Sequence, residues 1–236
     1  AASSPAMAMA SAVPGPAEGQ IESWMMRLLG DDGLSWLMDE PFAPPWGPAM
    51  LCFGEPGGDP MAEISWAQRG TLLGLTSLWL ATGEDRYLEA GRRLVDGLGR
   101  IAQQHAAGLH FPEGYYRRGG WGTAAARLVA GIEEYNAAVL WPLARFYQVS
   151  GHAPALDLAE GIARFALQRT GGYLPSGRFA PVKAELEDHF HTRSNFMLGV
   201  LKLGLVVGRP EYVAWARQGY EQARRFGTDF GWFPEG

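Results

Sequence analysis

A short phrase recurs three times along the chain and constrains its fold more than any other feature. Its copies are residues 108–114 (GLHFPEG), 172–177 (GYLPSG) and 231–236 (GWFPEG). Recurrence at a long period is typical of repeat architectures. Because proline favours the second position of a tight turn and glycine the fourth, the phrase predicts one kind of turn three times. The predicted turns are 111–114, 174–177 and 233–236.

The residues upstream of each phrase predict a helical hairpin around a central glycine. The central glycines are Gly83, Gly151 and Gly208, which are 68 and 57 residues apart. Ten residues before them stand Leu73, Trp141 and Leu198, and five residues after them stand Leu88, Leu156 and Val213. Equal offsets place these side chains on one face of each helix, and the glycine suits a left-handed helix C-cap.

The repeat unit predicts an all-α fold of helical hairpins, each followed by a long loop. Residues 1–20 are expected to be a flexible tail, and residues 21–236 form one domain of about three hairpins. No segment alternates like a β-strand. The helices are expected near 63–82, 86–104, 122–149, 153–168, 191–207 and 210–226 and in part of 21–38, with a break at Gly131 and a kink at Pro142. All the long loops are then expected at one end.

Composition excludes several classes of function. The chain of 236 residues carries a net charge of −5 without a basic stripe, which argues against nucleic acid as a partner. No apolar run is long enough to span a membrane. The single cysteine, Cys52, excludes an internal disulfide and a cysteine-rich zinc site.

No cofactor and no metal are expected. The glycines stand between helices rather than between a strand and a helix, which excludes a phosphate or dinucleotide loop. His189 and His191 have no evident third ligand for a metal ion. Residues 6–12 (AMAMASA) read either as the remnant of a signal-peptide cleavage region or as flexible tail. The compartment stays open, with a secreted or periplasmic location favoured over a cytoplasmic one.

Three segments together resemble the α/α-toroid carbohydrate enzymes, also called six-hairpin glycosidase-like proteins. They are TGEDRYLEA at 82–90, the loops that contain Gly-Trp-Phe-Pro, and HFHTRSN at 189–195. The resemblance covers about residues 60 to 230 and implies an (α/α)n toroid that acts on carbohydrate. Hydrolases, lyases and epimerases share this architecture. Six units would need roughly 360 residues, so we expect an N-terminal fragment, an incomplete toroid that downstream sequence or a partner completes.

Within that class the chain is loosely similar to the β-L-arabinofuranosidase-like hydrolases. Those enzymes are understood to use a glutamate and a cluster of cysteines. Because Cys52 is the only cysteine, their chemistry cannot be carried over to these residues.

The candidate site lies where the first helix of each hairpin begins, which in such a toroid faces the central cavity. Seventeen residues before the hairpin glycines stand Trp66, Glu134 and His191. Glycoside hydrolysis needs two carboxylates beside the bond, and the predicted catalytic residues are Glu134, Asp188 and His191. The predicted substrate-binding residues are Trp66, Arg69, Tyr115, Trp121, His189, Arg193, Asn195 and Trp232.

Structural roles compete with these assignments. Asp188 also fits a helix N-cap, and aromatic rings in the loops also fit as plugs for the hairpin ends. Glu113 and Glu235 occupy matching turn positions that Ser176 fills in the second copy, so turn chemistry is their first interpretation.

Taken together, the residues and the resemblance predict a glycoside hydrolase on oligo- or polysaccharide. One alternative is a polysaccharide lyase on a uronate-containing glycan. In that mechanism His191, Arg193 and Asn195 neutralise the carboxylate, and Tyr115 or Tyr116 removes the proton. The other alternative is a non-catalytic helical-repeat scaffold.

Overall fold

The computed structural model describes residues 26, 29–34, 61–112, 115–117, 120–121, 137–169, 173–178, 190–225, 227–229 and 231. Within them the chain is mostly helical, as expected for an all-α protein. The helices are α1 (Arg69–Thr82), α2 (Asp85–Ile101), α3 (Leu140–Ser150), α4 (Ala153–Arg169), α5 (Phe190–Val207) and α6 (Pro210–Ala223). The strands are β1 (Met61–Glu63), β2 (Gln103–His105), β3 (Gly108–His110) and β4 (Tyr115–Arg117).

Consecutive helices pair into three hairpins, α1–α2, α3–α4 and α5–α6, around the predicted glycines. Gly83, Gly151 and Gly208 have φ angles of 72°, 68° and 69°, in the left-handed region that glycine adopts without a steric penalty. The Gly83 and Gly151 N–H groups each donate to the carbonyl oxygen four residues earlier, at 2.8 Å. Pro210 begins α6, where its missing N–H is not needed. The predicted helix caps are confirmed.

Four short strands form among the described residues, although no segment of the sequence alternates like a β-strand. Helix α2 ends at Ile101 rather than near 104, and Gln103–His105 pairs antiparallel with Gly108–His110. Met61–Glu63 pairs antiparallel with Tyr115–Arg117, and a π-helical turn at Ile64–Gln68 then leads into α1. Strands of three residues are too short to show an alternating pattern in the sequence.

The first helix of the second hairpin is interrupted just before Pro142, where the sequence predicted a kink. A helical residue at Ala137 is followed by a turn at 138–139, and α3 begins at Leu140. A proline has no N–H to donate to the carbonyl four residues earlier, here Ala138. Residues 122–136, including the expected break at Gly131, lie outside the described residues.

The first helices of the hairpins form one row, in which α3 packs between α1 and α5. Each second helix packs on its own first helix, and α2 also contacts α4. Phe146 of α3 is fully buried, and a Cβ added at Gly91 of α2 would stand 2.6 Å from its ring. Glycine at position 91 therefore lets the second hairpin approach the first closely.

Residues 30–34 form a further copy of the turn found at 174–178, which the sequence did not reveal. In 30–34 and in 174–178 the N–H of the first residue donates to the carbonyl of the fifth, at 2.9 and 2.7 Å. The N–H of the fourth residue donates to the carbonyl of the first, at 2.9 and 2.8 Å. Asp32 and Ser176, the third residues, accept from the N–H two residues later at 3.0 and 3.4 Å. The two segments therefore form the same kind of turn, although 30–34 (GDDGL) has neither the proline nor the aromatic ring of the phrase.

Both of these turns press their fourth residue against the second helix of the hairpin that follows them. A Cβ at Gly33 would overlap the backbone oxygen of Arg93 in α2, and a Cβ at Gly177 would overlap that of Trp215 in α6. Both glycines have positive φ, 80° and 89°. The turn phrase therefore attaches a loop to the outer helix of the next hairpin, and only glycine fits at the point of contact.

Candidate functional site at the first helices

A groove of about 300 Å³ runs along the row of first helices. We call it the inner groove. Its lining comprises Leu73, Thr76, Ser77 and Leu80 of α1, Trp141, Arg145 and Gln148 of α3, and Lys202 and Val206 of α5. Seven of these nine residues stand three, six or ten positions before the glycine of their hairpin. These offsets lie on one face of a helix.

Equal offsets from the hairpin glycines recur in the lining of the inner groove. Trp141 of α3 and Leu73 of α1 stand ten residues before their glycines, and Ser77, Arg145 and Lys202 all stand six residues before theirs.

Close contacts set the direction of the helices. Gly199 of α5 lies against Leu140 of α3, where an added Cβ would stand 2.9 Å away, and both helices enter the groove C-terminal to this contact, so they run in the same direction. His152, just before α4, lies 3.6 Å from Asp96 of α2, and Gly108, after α2, packs on the later part of α4. Helix α2 therefore runs parallel to α4, and α1 runs parallel to α3. The N-termini of α1, α3 and α5 lie at the same end of the row.

In α5 the groove-facing stripe extends towards that end. The helix is regular from Phe190, so positions 191 and 195 fall on the same face as Lys202, which lines the groove. Asn195 is partly exposed. Positions 191 and 195 and the inner groove therefore share one face of the helix, whereas Arg193 lies on the opposite face.

The other two first helices do not allow the same extension. Trp66 lies in the π-helical turn at Ile64–Gln68, whose residues per turn differ from those of an α-helix. The groove-facing stripe of α1 therefore cannot be extended back along the helix to residue 66 by α-helical spacing. Glu134 lies outside the described residues. The three positions that lie seventeen residues before the glycines are therefore equivalent by sequence spacing. Only in α5 does the described helix carry the groove-facing stripe as far as that position.

Two predicted site residues are held by contacts within the protein. Arg193 is buried, with its guanidinium carbon 6.0 Å from the centre of the Tyr173 ring, and its carbonyl accepts from the Tyr173 hydroxyl at 3.1 Å. Trp121 donates its indole N–H to the carbonyl of Ile101 at 3.0 Å and lies edge-on to Tyr116, 5.0 Å away. Trp121 stays partly exposed, and Arg193 does not.

The β1–β4 pair brings two predicted segments together. Tyr115 stands opposite Glu63 in this pair, directly before the π-helical turn that contains Trp66. Arg69, at the start of α1, is partly buried. The pairing therefore places the loop that follows the first hairpin beside the N-terminus of that hairpin's own first helix.

Several predictions fall outside what the structure describes. Glu134, Asp188, His189 and Trp232 lie outside the described residues. For His191, Trp66 and Tyr115 the structure describes the backbone and not the side chain. Their roles in chemistry and binding remain predictions.

The aromatic rings of the first two turn phrases are packed inside the protein. His110 stacks on Phe165 of α4 with ring centres 4.7 Å apart, and Tyr173 lies 4.9 Å from Trp215 of α6 and 5.4 Å from Phe196 of α5. Both phrase residues are almost fully buried. At these two copies the ring plugs the next hairpin, which was the structural alternative to substrate binding.

Two histidines form a pair that sequence reasoning did not single out. The rings of His105 and His110 are 5.8 Å apart across the β2–β3 hairpin. Burial lowers the pKa of His110; its hydrogen bond to the carbonyl of Gln103 opposes this shift, and the neighbouring His105 adds to it. His105 accepts an N–H from Ala107 at its Nδ1, at 3.0 Å. The two rings come together because β2 and β3 form a short hairpin, so a search for helical spacing could not reveal the pair.

The described residues contain neither a membrane-spanning helix nor a cluster of metal-ligating side chains. Among the described residues, no helix combines the length and the apolar character needed to cross a bilayer. In the same part of the chain, no three histidine, cysteine, aspartate or glutamate side chains converge where they could hold a metal ion.

Comparison of the chain with models of known protein families, with curated proteins and with solved structures found no match in any of the three.

Proposed function

We propose that the chain is part of an α/α-toroid that acts on carbohydrate as a glycoside hydrolase. The observation that supports the proposal most is the row of three parallel first helices with one shared groove. The starts of α1, α3 and α5 lie at one end of this row, which supports a shared site there. In the proposed toroid the row forms part of the inner wall.

The proposed roles follow from the chemistry of glycoside cleavage. Glu134 and Asp188 supply the two carboxylates that flank the scissile bond, and His191 binds the sugar or acts as a base. Asn195 lies partly exposed on the groove-facing side of α5, where its amide offers both a donor and an acceptor to sugar hydroxyls. Trp121, partly exposed and held by its hydrogen bond to Ile101, offers a fixed ring for stacking.

The burial of Arg193 favours the hydrolase over the lyase. A lyase would use the Arg193 guanidinium to neutralise a uronate carboxylate, but this side chain is only 5% exposed and lies over Tyr173. A buried cation in contact with an aromatic ring stabilises the packing of the turn phrase.

The proposal is tested by product analysis on a panel of neutral and uronate-containing polysaccharides. A hydrolase releases new reducing ends without ultraviolet absorption, whereas a lyase creates an unsaturated sugar that absorbs. We expect Glu134→Gln and Asp188→Asn each to lower the rate by about 10²- to 10⁴-fold, because each removes a proton donor or acceptor of the reaction.

Glu185→Gln is the matched control, since it removes a carboxylate from the same segment as Asp188 and is expected to leave the rate unchanged. Full activity in both site variants would overturn the assignment of the carboxylates. Ultraviolet-absorbing products would replace the hydrolase with the lyase. The absence of both binding and turnover on the whole panel would leave the scaffold as the better description.

A further inference from the structure

The inner groove combines apolar surface with two cations. Leu73, Leu80 and Val206 supply aliphatic surface, and Leu80 is 51% exposed. Trp141 adds a partly exposed indole. Pockets of about 300 Å³ and larger that are apolar with a few polar groups are the usual form of small-molecule sites.

The charged groups of the groove have one sign. Arg145 and Lys202 are cationic, and the nine described lining residues include no carboxylate. Neither cation forms an ion pair with a carboxylate of a described residue. Because the chain carries a net charge of −5, two cations with no acidic partner among the described residues form a local exception to the charge of the molecule.

The polar side chains of the groove also favour a ligand that accepts hydrogen bonds. Arg145 donates to the side-chain oxygen of Gln148 at 2.9 Å, which occupies the acceptor of that amide and leaves its NH₂ group. Thr76 and Ser77 donate their hydroxyl protons to backbone carbonyls of their own helix, at 2.6 and 2.9 Å. The remaining side-chain donors of the lining are the two cations, the Gln148 amide and the Trp141 indole N–H, while the Thr76 and Ser77 oxygens can only accept.

The geometry points to a binding site for a small organic anion that joins an apolar or aromatic body to a carboxylate or sulfonate group. The body lies on Trp141 and the aliphatic residues of α1, and the anionic group pairs with Arg145 and Lys202. The inference does not rest on the proposed function, because it uses only groove residues towards the hairpin turns and none of the predicted catalytic residues.

The test compares two fluorescent probes that differ in charge. 8-Anilinonaphthalene-1-sulfonate carries the aromatic body and an anionic group, and N-phenyl-1-naphthylamine is its uncharged analogue. We expect the anionic probe to bind the native chain with a stoichiometry of one. Lys202→Met and Arg145→Met should each weaken this binding about three- to fivefold, the scale of a partly exposed ion pair. The neutral probe should be unaffected by either variant.

Matched variants separate the groove from general effects of charge. Arg217→Met removes an exposed cation from α6 and should change neither probe. Lys202→Arg keeps the charge and should keep the affinity, while Trp141→Leu should weaken both probes because it removes the surface under the body. Substitutions within a helix can also change its stability, so binding is measured under conditions in which circular dichroism shows each variant folded.

Two outcomes would overturn the inference. One is the absence of saturable binding of the anionic probe to the native chain. The other is equal affinity for that probe in the native chain, Lys202→Met and Arg145→Met, which would show that its charge is not recognised in the groove.

Discussion

At the scale of single residues, burial gives His110 a property that its sequence context does not show. The ring stacks on Phe165, donates a hydrogen bond from Nδ1 to the backbone carbonyl of Gln103, and faces His105 across the hairpin. A charged imidazole loses hydration when it is buried. The pKa of His110 is therefore lowered below its ordinary value of 6.5.

The lowered pKa predicts how stability depends on pH. Above pH 6.5 the residue is neutral in the folded and unfolded chains, and its contribution is constant. As the pH falls below 6.5 the unfolded chain binds the proton first, so the free energy of unfolding decreases until the pH passes the folded pKa. His110→Phe keeps a stacking ring and should flatten this part of the profile, as measured by urea unfolding between pH 8 and pH 5. An unchanged slope in the variant would contradict the assignment.

At the scale of elements, the turn phrase at 172–177 joins its loop to the hairpin that follows it. Gly177 packs on the backbone of Trp215, and the ring of Tyr173 packs against the same residue. Arg209, at the start of α6, adds an ion pair to Glu160 of α4 at 2.8 Å. The phrase therefore stabilises the interface between successive repeats, and its recurrence reflects the recurrence of that interface.

Two alanine substitutions distinguish this role from the ordinary role of glycine in a cap. Gly151 has φ 68° and no other atom near its missing Cβ, so Gly151→Ala should cost about 1–2 kcal/mol for the left-handed conformation alone. Gly177 has φ 89° and would also overlap the backbone of Trp215, so Gly177→Ala should cost about 3 kcal/mol or more. Thermal or urea unfolding measures both. Equal losses of unfolding free energy in the two variants would mean that the turn does not pack against α6.

At the scale of the whole molecule, the three hairpins form a row in which the middle one contacts both others. Phe196 of α5 packs on Tyr173 and Trp215, within the third hairpin and the turn attached to it. Phe146 of α3 packs instead against Gly91 of the first hairpin. In repeat arrays stability is the sum of local terms and terms between neighbours, so these two phenylalanines should affect different parts of the row.

Hydrogen exchange tests this arrangement. Phe196→Ala should cost about 3–5 kcal/mol for a fully buried ring and raise exchange in α5 and α6 well before α1 and α2. Phe146→Ala is the matched comparison and should raise exchange in the first and second hairpins together, because it opens the contact between them. A uniform rise across all six helices in the Phe196 variant would show that the row unfolds as one unit.

The sequence alone determined the features that depend on local stereochemistry. Gly83, Gly151 and Gly208 adopt the left-handed conformation expected of them, and residues 174–177 form the turn that proline and glycine predict, because both preferences act within four residues. Pro142 likewise interrupts its helix by lacking an N–H. The hairpins and their order followed from these positions.

Only the tertiary structure decided what those elements contact. It revealed the turn at 30–34, which has no proline and depends on its fit against α2; the short strands, which depend on partners distant in the chain; and the burial of His110, Tyr173 and Arg193. It also aligned residues from three helices into the inner groove. A repeat spacing indicates which residues are equivalent, but whether an equivalent ring binds a ligand or fills a hairpin end depends on the space that the neighbouring repeat leaves.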